Sequence, residues 1–313
     1  MLSEILYMNR PPHRIVPLIA SATEMVHALG LGHLQVGRSH ECDYPEAVRA
    51  LPVCTAPRID VTGSSGDIDA RVKASLASAE SIYEVFEDVL LGLAPTVLLT
   101  QTQCKVCAVS MDDVERALSE RFVTRPAVVA LEPNSLADIW RDLRRVASAC
   151  GVSERGESLI AALGAEMEAM HSLAEACASR PKVAIVEWQE PLMAAGNWTP
   201  ELVDLACGVN LFGEARRHSP WMAWEDLLAA NPDVVIVAPC GYGLNQARRE
   251  MYWLTRRPGW DRLAGRTFLA DGNAYFNRPG PRVVETLRTL CEILHPTAFA
   301  PSLAGVAWEP FGE

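Results

Sequence analysis

Little in the sequence marks a catalyst. No GxSxG elbow, P-loop or GxGxxG occurs, and the opening HRIVPLIASATE lacks the glycines with which a loop cradles phosphate. A second CxxC pair and an HxxxH pair are also missing, so CKVC at 104–107 has no partner to complete a zinc site. Basic residues are outnumbered, 28 against 39 acidic, for a net charge of −11. That balance argues against nucleic acid or an anionic membrane surface as the main partner. The nine cysteines are an odd count without the dense, even spacing of a secreted disulfide framework. No stretch reaches the roughly 18 apolar residues of a membrane span. MLSEILYMNRPPHRIVPL does not read as a secretory signal. These absences predict a reduced, cytoplasmic setting, or a periplasmic one if a signal was removed or the start misassigned.

What is present is an alternation of strand and helix. RIVPLI reads as a strand, ATEMVHALGL as a helix capped by Ser21 or Thr23 and ended by Gly30 and Gly32, and LQVGRS as a second strand. Residues 67–94 carry helical spacing, PTVLLT is a buried strand, and a helix from Met111 and the strand AVVALE complete the first series. SLADIWRDLRRVASAC reads as a helix. After Gly151 a second helix runs without proline for 26 residues or more, about 39 Å of rise. Beyond Pro181 a similar series begins: KVAIVEW, a helix from Thr199, the edge NLF, a helix from Ala223, DVVIVAP, a helix near 244–257, TFLADG and a helix from Pro281 to Leu294. The expected fold is therefore α/β, two similar lobes with mainly parallel central sheets joined by one long helix. The expected boundaries are a tail at 1–12, a lobe at 13–134, a connector at 135–180, a lobe at 181–297 and a tail at 298–313. A single rigid connector points to a ligand in a cleft between lobes.

Aromatic residues gather where strands end: Trp188 in KVAIVEW, Trp198 in AAGNWTPE, Trp221 and Trp224 in SPWMAWED, Tyr275 and Phe276 in GNAYFNRPGPR. Carboxyl ends of parallel strands are where α/β sheets hold ligands, so these rings are candidates for a flat apolar wall. SHECDYP at 39–45 offers His40, Glu41, Cys42 and Asp43 in a row, of which at most two could meet one ion; His40 or Cys42 facing the ligand is the useful subset. Cys104 and Cys107 have three readings, as ligand-lining or structural thiols, as a redox or disulfide pair, or as part of a metal site.

Three segments carry a family resemblance. RIVPLIASATEMVHALGLGHLQVGRSHECDYP, WEDLLAANPDVVIVAP and DGNAYFNRPGPRVVETLRTLCEILHP resemble those of the cobalamin-binding ABC-transporter substrate-binding proteins, the class with lobes joined by a single helix, over residues 13–296. The resemblance implies a class III periplasmic-binding-protein-like fold, no catalysis, and a corrin ring held between the lobes against Trp188, Trp221, Tyr275, Phe276 and Arg278. Arg278, Asn197 and Gln101 would hydrogen-bond the amide rim, and His40, Cys42 or Cys104 would approach the cobalt. Tyr44, Gln103 and Trp198 complete the candidate set. The family docks onto arginines of a membrane permease through one carboxylate per lobe; Glu225 matches in the second lobe, and Glu87 or Asp88 in the first.

The sequence also departs from that pattern. Residues 60–85 make a longer link than in the transport proteins, a tryptophan expected there is missing, and Gln101 stands where relatives have a second tryptophan. A subgroup without a transport signal, carrying a CxVCAVS-like segment, is the better match. The expected ligand is cobalamin or a related corrinoid, and the expected state a monomer. A metal or iron-siderophore binding protein, or a cytoplasmic redox or metal enzyme on the same fold, are the alternatives.

Overall fold

The computed structural model describes residues 13–78, 81–102, 111–118, 122 and 124–312. The chain divides into two compact units. The first takes residues up to Arg58, Ser81–Leu131 and Leu143–Glu157; the second takes Ile59–Glu80, Glu132–Asp142 and Ser158–Glu313.

The first unit is built on three parallel strands, β1 (Ile15–Pro17), β4 (Val97–Gln101) and β5 (Ala127–Leu131), in the order β1-β4-β5. All five residues of β4 are buried, as an apolar strand covered on both faces should be. A small antiparallel pair, β2 (Thr55–Pro57) and β3 (Tyr83–Val85), belongs to the same unit. LQVGRS forms only isolated bridges, Gln35 to Ile15 and Arg38 to Val53, rather than a strand. Helix α1 (Ala20–Ala28) starts from Ile19 with no side-chain cap. Ser21 and Thr23, expected to cap it, lie buried inside the helix, where the Thr23 hydroxyl donates to Cys42 Sγ at 2.9 Å.

The second unit holds the larger sheet, in the order β11 (Trp308–Pro310), β10 (Thr267–Ala270), β9 (Val234–Val237), β6 (Lys182–Gln189), β7 (Leu192–Ala194), with the short β8 (Val209–Asn210) also on β6. Strands β6, β9 and β10 run parallel, while β7 and β11 are antiparallel. The segment expected as a C-terminal tail is thus part of the sheet. The buried carboxylate of Glu292 accepts hydrogen bonds from Ser302 N, Leu303 N and Trp308 Nε1 at 3.0, 3.1 and 2.7 Å and fastens that segment down.

The stretch 67–94, expected to be helical, is α2 (Ser65–Ala77), β3 and α3 (Glu87–Leu93). Tyr83, Glu84 and Val85 leave the helical pattern because they pair with Pro57, Ala56 and Thr55. Helix α2 belongs to the second unit, not to the first lobe as its place in sequence implies. Next come α4 (Met111–Ala117), α5 (Leu136–Ala149) and α6 (Ser153–Glu175). On α5 the buried Ile139, Leu143, Val146 and Ala147 recur at helical spacing. Helix α6, with 23 residues, rises about 35 Å, and the chain passes from one unit to the other within it.

Local plans repeat in the two units. Helix α1 and helix α7 (Thr199–Leu205) both end on a left-handed residue, Gly30 with φ +75° and Cys207 with φ +55°. Both ends carry the same backbone bonds: Gly30 N to His27 O with Leu31 N to Val26 O, and Cys207 N to Asp204 O with Gly208 N to Val203 O. Helix α3 and helix α8 (Trp224–Ala230) likewise end left-handed, at Ala94 and Asn231, before a proline and then β4 or β9. The region near 244–257 breaks at Met251 into α9 (Leu244–Glu250) and α10 (Tyr252–Thr255). The short α11 (Asp261–Ala264) and α12 (Val283–Leu294) follow, the latter buried except at Glu285 and Arg288.

Candidate functional site

Each unit presents a carboxyl-terminal strand edge. In the first unit that edge is shaped by Arg38, whose guanidinium donates to the carbonyls of Ser39, Cys42 and Arg49 at 3.0, 3.3 and 3.2 Å. The SHECDYP loop is wound around that one side chain, which satisfies backbone acceptors that a loop otherwise leaves open. His40 is half-buried, with its backbone N–H donating to Thr55 Oγ1 at 3.1 Å, its Nδ1 2.8 Å from the same oxygen, and its ring 5.4 Å from Tyr83. Burial, reinforced by Arg38, lowers its pKa, so the imidazole is neutral at neutral pH. Cys42 is turned into the interior: 1% exposed, bonded to Thr23, and with its pKa raised by burial. Tyr44 is exposed. Gln101 ends β4, buried, and its Oε1 accepts no hydrogen bond among the described residues. Gln103, Cys104 and Cys107 lie outside the described residues.

In the second unit Trp188 is the next-to-last residue of β6, half-buried, with its ring 5.2 Å from that of Tyr242. Burial pushes the Tyr242 phenol up to about 12, and Gln246 opposes the shift. Trp221 is 58% exposed beside β7, where it bridges Met193. Trp198 is buried, with no partner for its indole N–H among the described residues. Asn197, at φ +55°, holds a turn through backbone bonds to Arg216 and Arg217.

The residues 271–278 form the third part of this edge. Asp271 Oδ1 accepts from Ala274 N at 2.7 Å, and Asn277 Nδ2 donates to the Ala238 carbonyl at 3.0 Å. Gly272 has to be glycine there, because a Cβ would stand 2.0 Å from the Pro239 carbonyl oxygen. Tyr275 is half-buried, its pKa raised by burial against the opposing Arg282 guanidinium, 5.1 Å from the ring. Phe276 and Arg278 are buried, and Arg278 donates to Asn273 Oδ1 at 3.1 Å. A surface concavity of about 470 Å³ opens nearby, lined by Asn245, Gln246, Arg249, Asp271 and Val306.

The structure therefore leaves His40, Tyr44, Trp188, Asn197, Trp221 and Tyr275 at least partly open, and sets Cys42, Gln101, Trp198, Phe276 and Arg278 beneath the surface. Sequence reasoning missed Arg38 and Thr55, which leave no local pattern. It also missed Tyr242, although CGYG follows the strand β9 and Trp188 lies near the end of β6. Among the described residues no group of three His, Cys, Asp or Glu side chains is arranged to hold a metal ion.

The candidate docking acids lie in the first turns of two seven-residue helices, Glu87 and Asp88 on α3, Glu225 on α8. Aligning the helices on their left-handed ends, Ala94 with Asn231, sets Leu90 against Leu227 and Asp88 against Glu225. Glu87 then falls opposite Trp224. Asp88 and Glu225 are both exposed, whereas Glu87 is half-buried.

A family model described as "Periplasmic binding protein" matches residues 15–266. The chain belongs to the periplasmic binding protein family. Among curated relatives of this binding protein, the vitamin B12-binding protein of Yersinia pestis is 23% identical over 283 residues, 89% of this chain and 85% of that one. Among solved structures, a periplasmic heme binding protein from Pseudomonas aeruginosa has TM-score 0.70 at 20% identity, covering 97% of this chain and 99% of that one. The periplasmic vitamin B12 binding protein BtuF of Vibrio cholerae has TM-score 0.62 at 16% identity, covering 91% and 97%. The fold is that of the class III periplasmic binding proteins, and no described helix is long and apolar enough to cross a membrane.

Proposed function

We propose that this binding protein takes up cobalamin or a closely related corrinoid, with the carboxyl-terminal strand edge of its second unit meeting the ligand, and delivers it to an ABC importer. The observation that carries the choice of ligand is the concavity beside Asp271. Its polar lining is two amides, Asn245 and Gln246, one acid and one base, Arg249. That neutral, amide-bearing surface matches the amide rim of a corrin, whereas the two propionates of a haem would meet a carboxylate with a single cation to offset it. Trp221 and the Trp188–Tyr242 pair supply flat rings of the kind a macrocycle covers. Asp88 and Glu225, equivalent in the two units, are the carboxylates that would meet permease arginines.

Quenching of tryptophan fluorescence by cyanocobalamin tests this reading. The reading expects saturable quenching that weakens in a Trp221→Phe, Trp188→Phe variant; quenching that never saturates, or saturates identically in the variant, refutes it.

A further inference from the structure

Helix α2 comes from the segment 59–80, inserted between β2 and β3 of the first unit, yet it packs on the second. It buries little apolar surface, only Ser65 and Ile68 of its thirteen residues being buried. Its seat is polar. The Ser65 backbone N–H donates to Glu250 Oε2 at 2.8 Å, and Trp253 Nε1 donates to the same oxygen at 3.1 Å. Gly66 at the helix start faces Trp253 and Glu190, just past the end of β6. Two turns on, Lys73 Nζ stands 5.2 Å from the centre of the Trp221 ring. The inserted helix thus brings a cation onto the most open aromatic ring of the second unit's ligand edge.

We infer that Lys73 recognises an anionic substituent carried by a flat macrocycle lying on Trp221, the phosphodiester of a complete cobalamin being the group that fits. This rests on the reading above that Trp221 meets the ligand. Asp69 Oδ2 lies 2.7 Å from Lys73 Nζ and steadies it, but the Lys73 side chain is 58% exposed and that of Asp69 17%. The Lys73 side chain is thus the more open member of the pair. An ammonium has three N–H donors and Asp69 occupies one, which leaves donors for a phosphate oxygen. In a chain of net charge −11, an anionic group is repelled overall and needs such a local cation to be held.

Affinities of the wild type and of Lys73→Gln, measured by calorimetry, test the inference on two ligand pairs. Cyanocobalamin is paired with dicyanocobinamide, which lacks the phosphodiester, and haemin with its dimethyl ester, which lacks the carboxylates. The variant is expected to lose about five-fold in affinity for the anionic member while the other member changes by less than about two-fold, and Lys73→Arg restores the loss. Equal losses for both members, or no loss for either, overturn it. If the wild type binds haemin and no corrinoid, the cobalamin reading fails and the haemin pair decides the role of Lys73. If it binds neither pair, both fall.

Discussion

Replacing Glu250 by alanine should release helix α2 while leaving the rest of the second unit intact. Glu250 is 7% exposed, and its Oε2 accepts from both Ser65 N and Trp253 Nε1. Hydrogen bonds to a charged acceptor contribute about 1.5–3 kcal/mol each, and a carboxylate at a helix start adds a further few tenths from the helix dipole. Water replaces part of the Ser65 bond once the helix lifts, so about 2 kcal/mol is the working figure for the seat. With so little apolar burial along α2, that loss falls on the helix alone, and its amides should exchange about thirty-fold faster at the same pH. Hydrogen exchange resolved by peptide is the assay: residues 65–77 lose protection, while β6 and β9 keep theirs, and Glu250→Gln, still an acceptor, falls between. Unchanged exchange in 65–77, or a uniform increase across the second unit, would mean that Glu250 is not what seats α2.

Other perturbations probe the edges themselves. A Gly272→Ala Cβ would stand 2.0 Å from Pro239 O and 2.7 Å from Ala238 O, so the turn must shift at a cost of about 3 kcal/mol, read as a lower urea midpoint with weaker ligand binding. Truncating Trp221 to alanine should weaken cyanocobalamin binding about sixty-fold, the equivalent of roughly 100 Å² of apolar surface covered by ligand; unchanged affinity would remove Trp221 from the site. Asp88→Ala and Glu225→Ala should leave affinity intact and reduce uptake in a reconstituted transport assay, whereas Glu87→Ala should not reduce it. Burial holds the imidazoles of His27 and His40 below their ordinary 6.5. The unfolded chain therefore takes up more protons below pH 6.5, and stability present above that pH is lost as pH falls through the lowered folded values. Urea midpoints compared on either side of 6.5 check this: they drop on the acid side, and less so in His40→Gln.

Local pattern made much of the fold legible and long-range contact hid the rest. DVVIVAP and PTVLLT are apolar and β-branched enough to read as buried parallel strands, and the spacing of SLADIWRDLRRVASAC displays a core-facing helix. Nothing local shows that α2 packs on the other unit, because its anchor, Glu250, lies 185 residues away. The same holds for the chain end, whose place on the sheet depends on a buried acid inside α12. In the candidate site, the rule that ligands meet strand ends picks out Trp188 and Tyr275, but it does not separate rings left open, such as Trp221, from rings packed inside, such as Trp198 and Phe276. Residues that hold other residues, Arg38 around its loop and Gly272 against Pro239, show their role only once their partners are in place.

Isothermal titration of the purified protein with cyanocobalamin and, separately, with haemin decides between the two ligands. Cyanocobalamin is expected to bind saturably at one site per chain, and haemin markedly more weakly. Tight binding of haemin with no heat from cyanocobalamin would overturn the assignment of a corrinoid ligand.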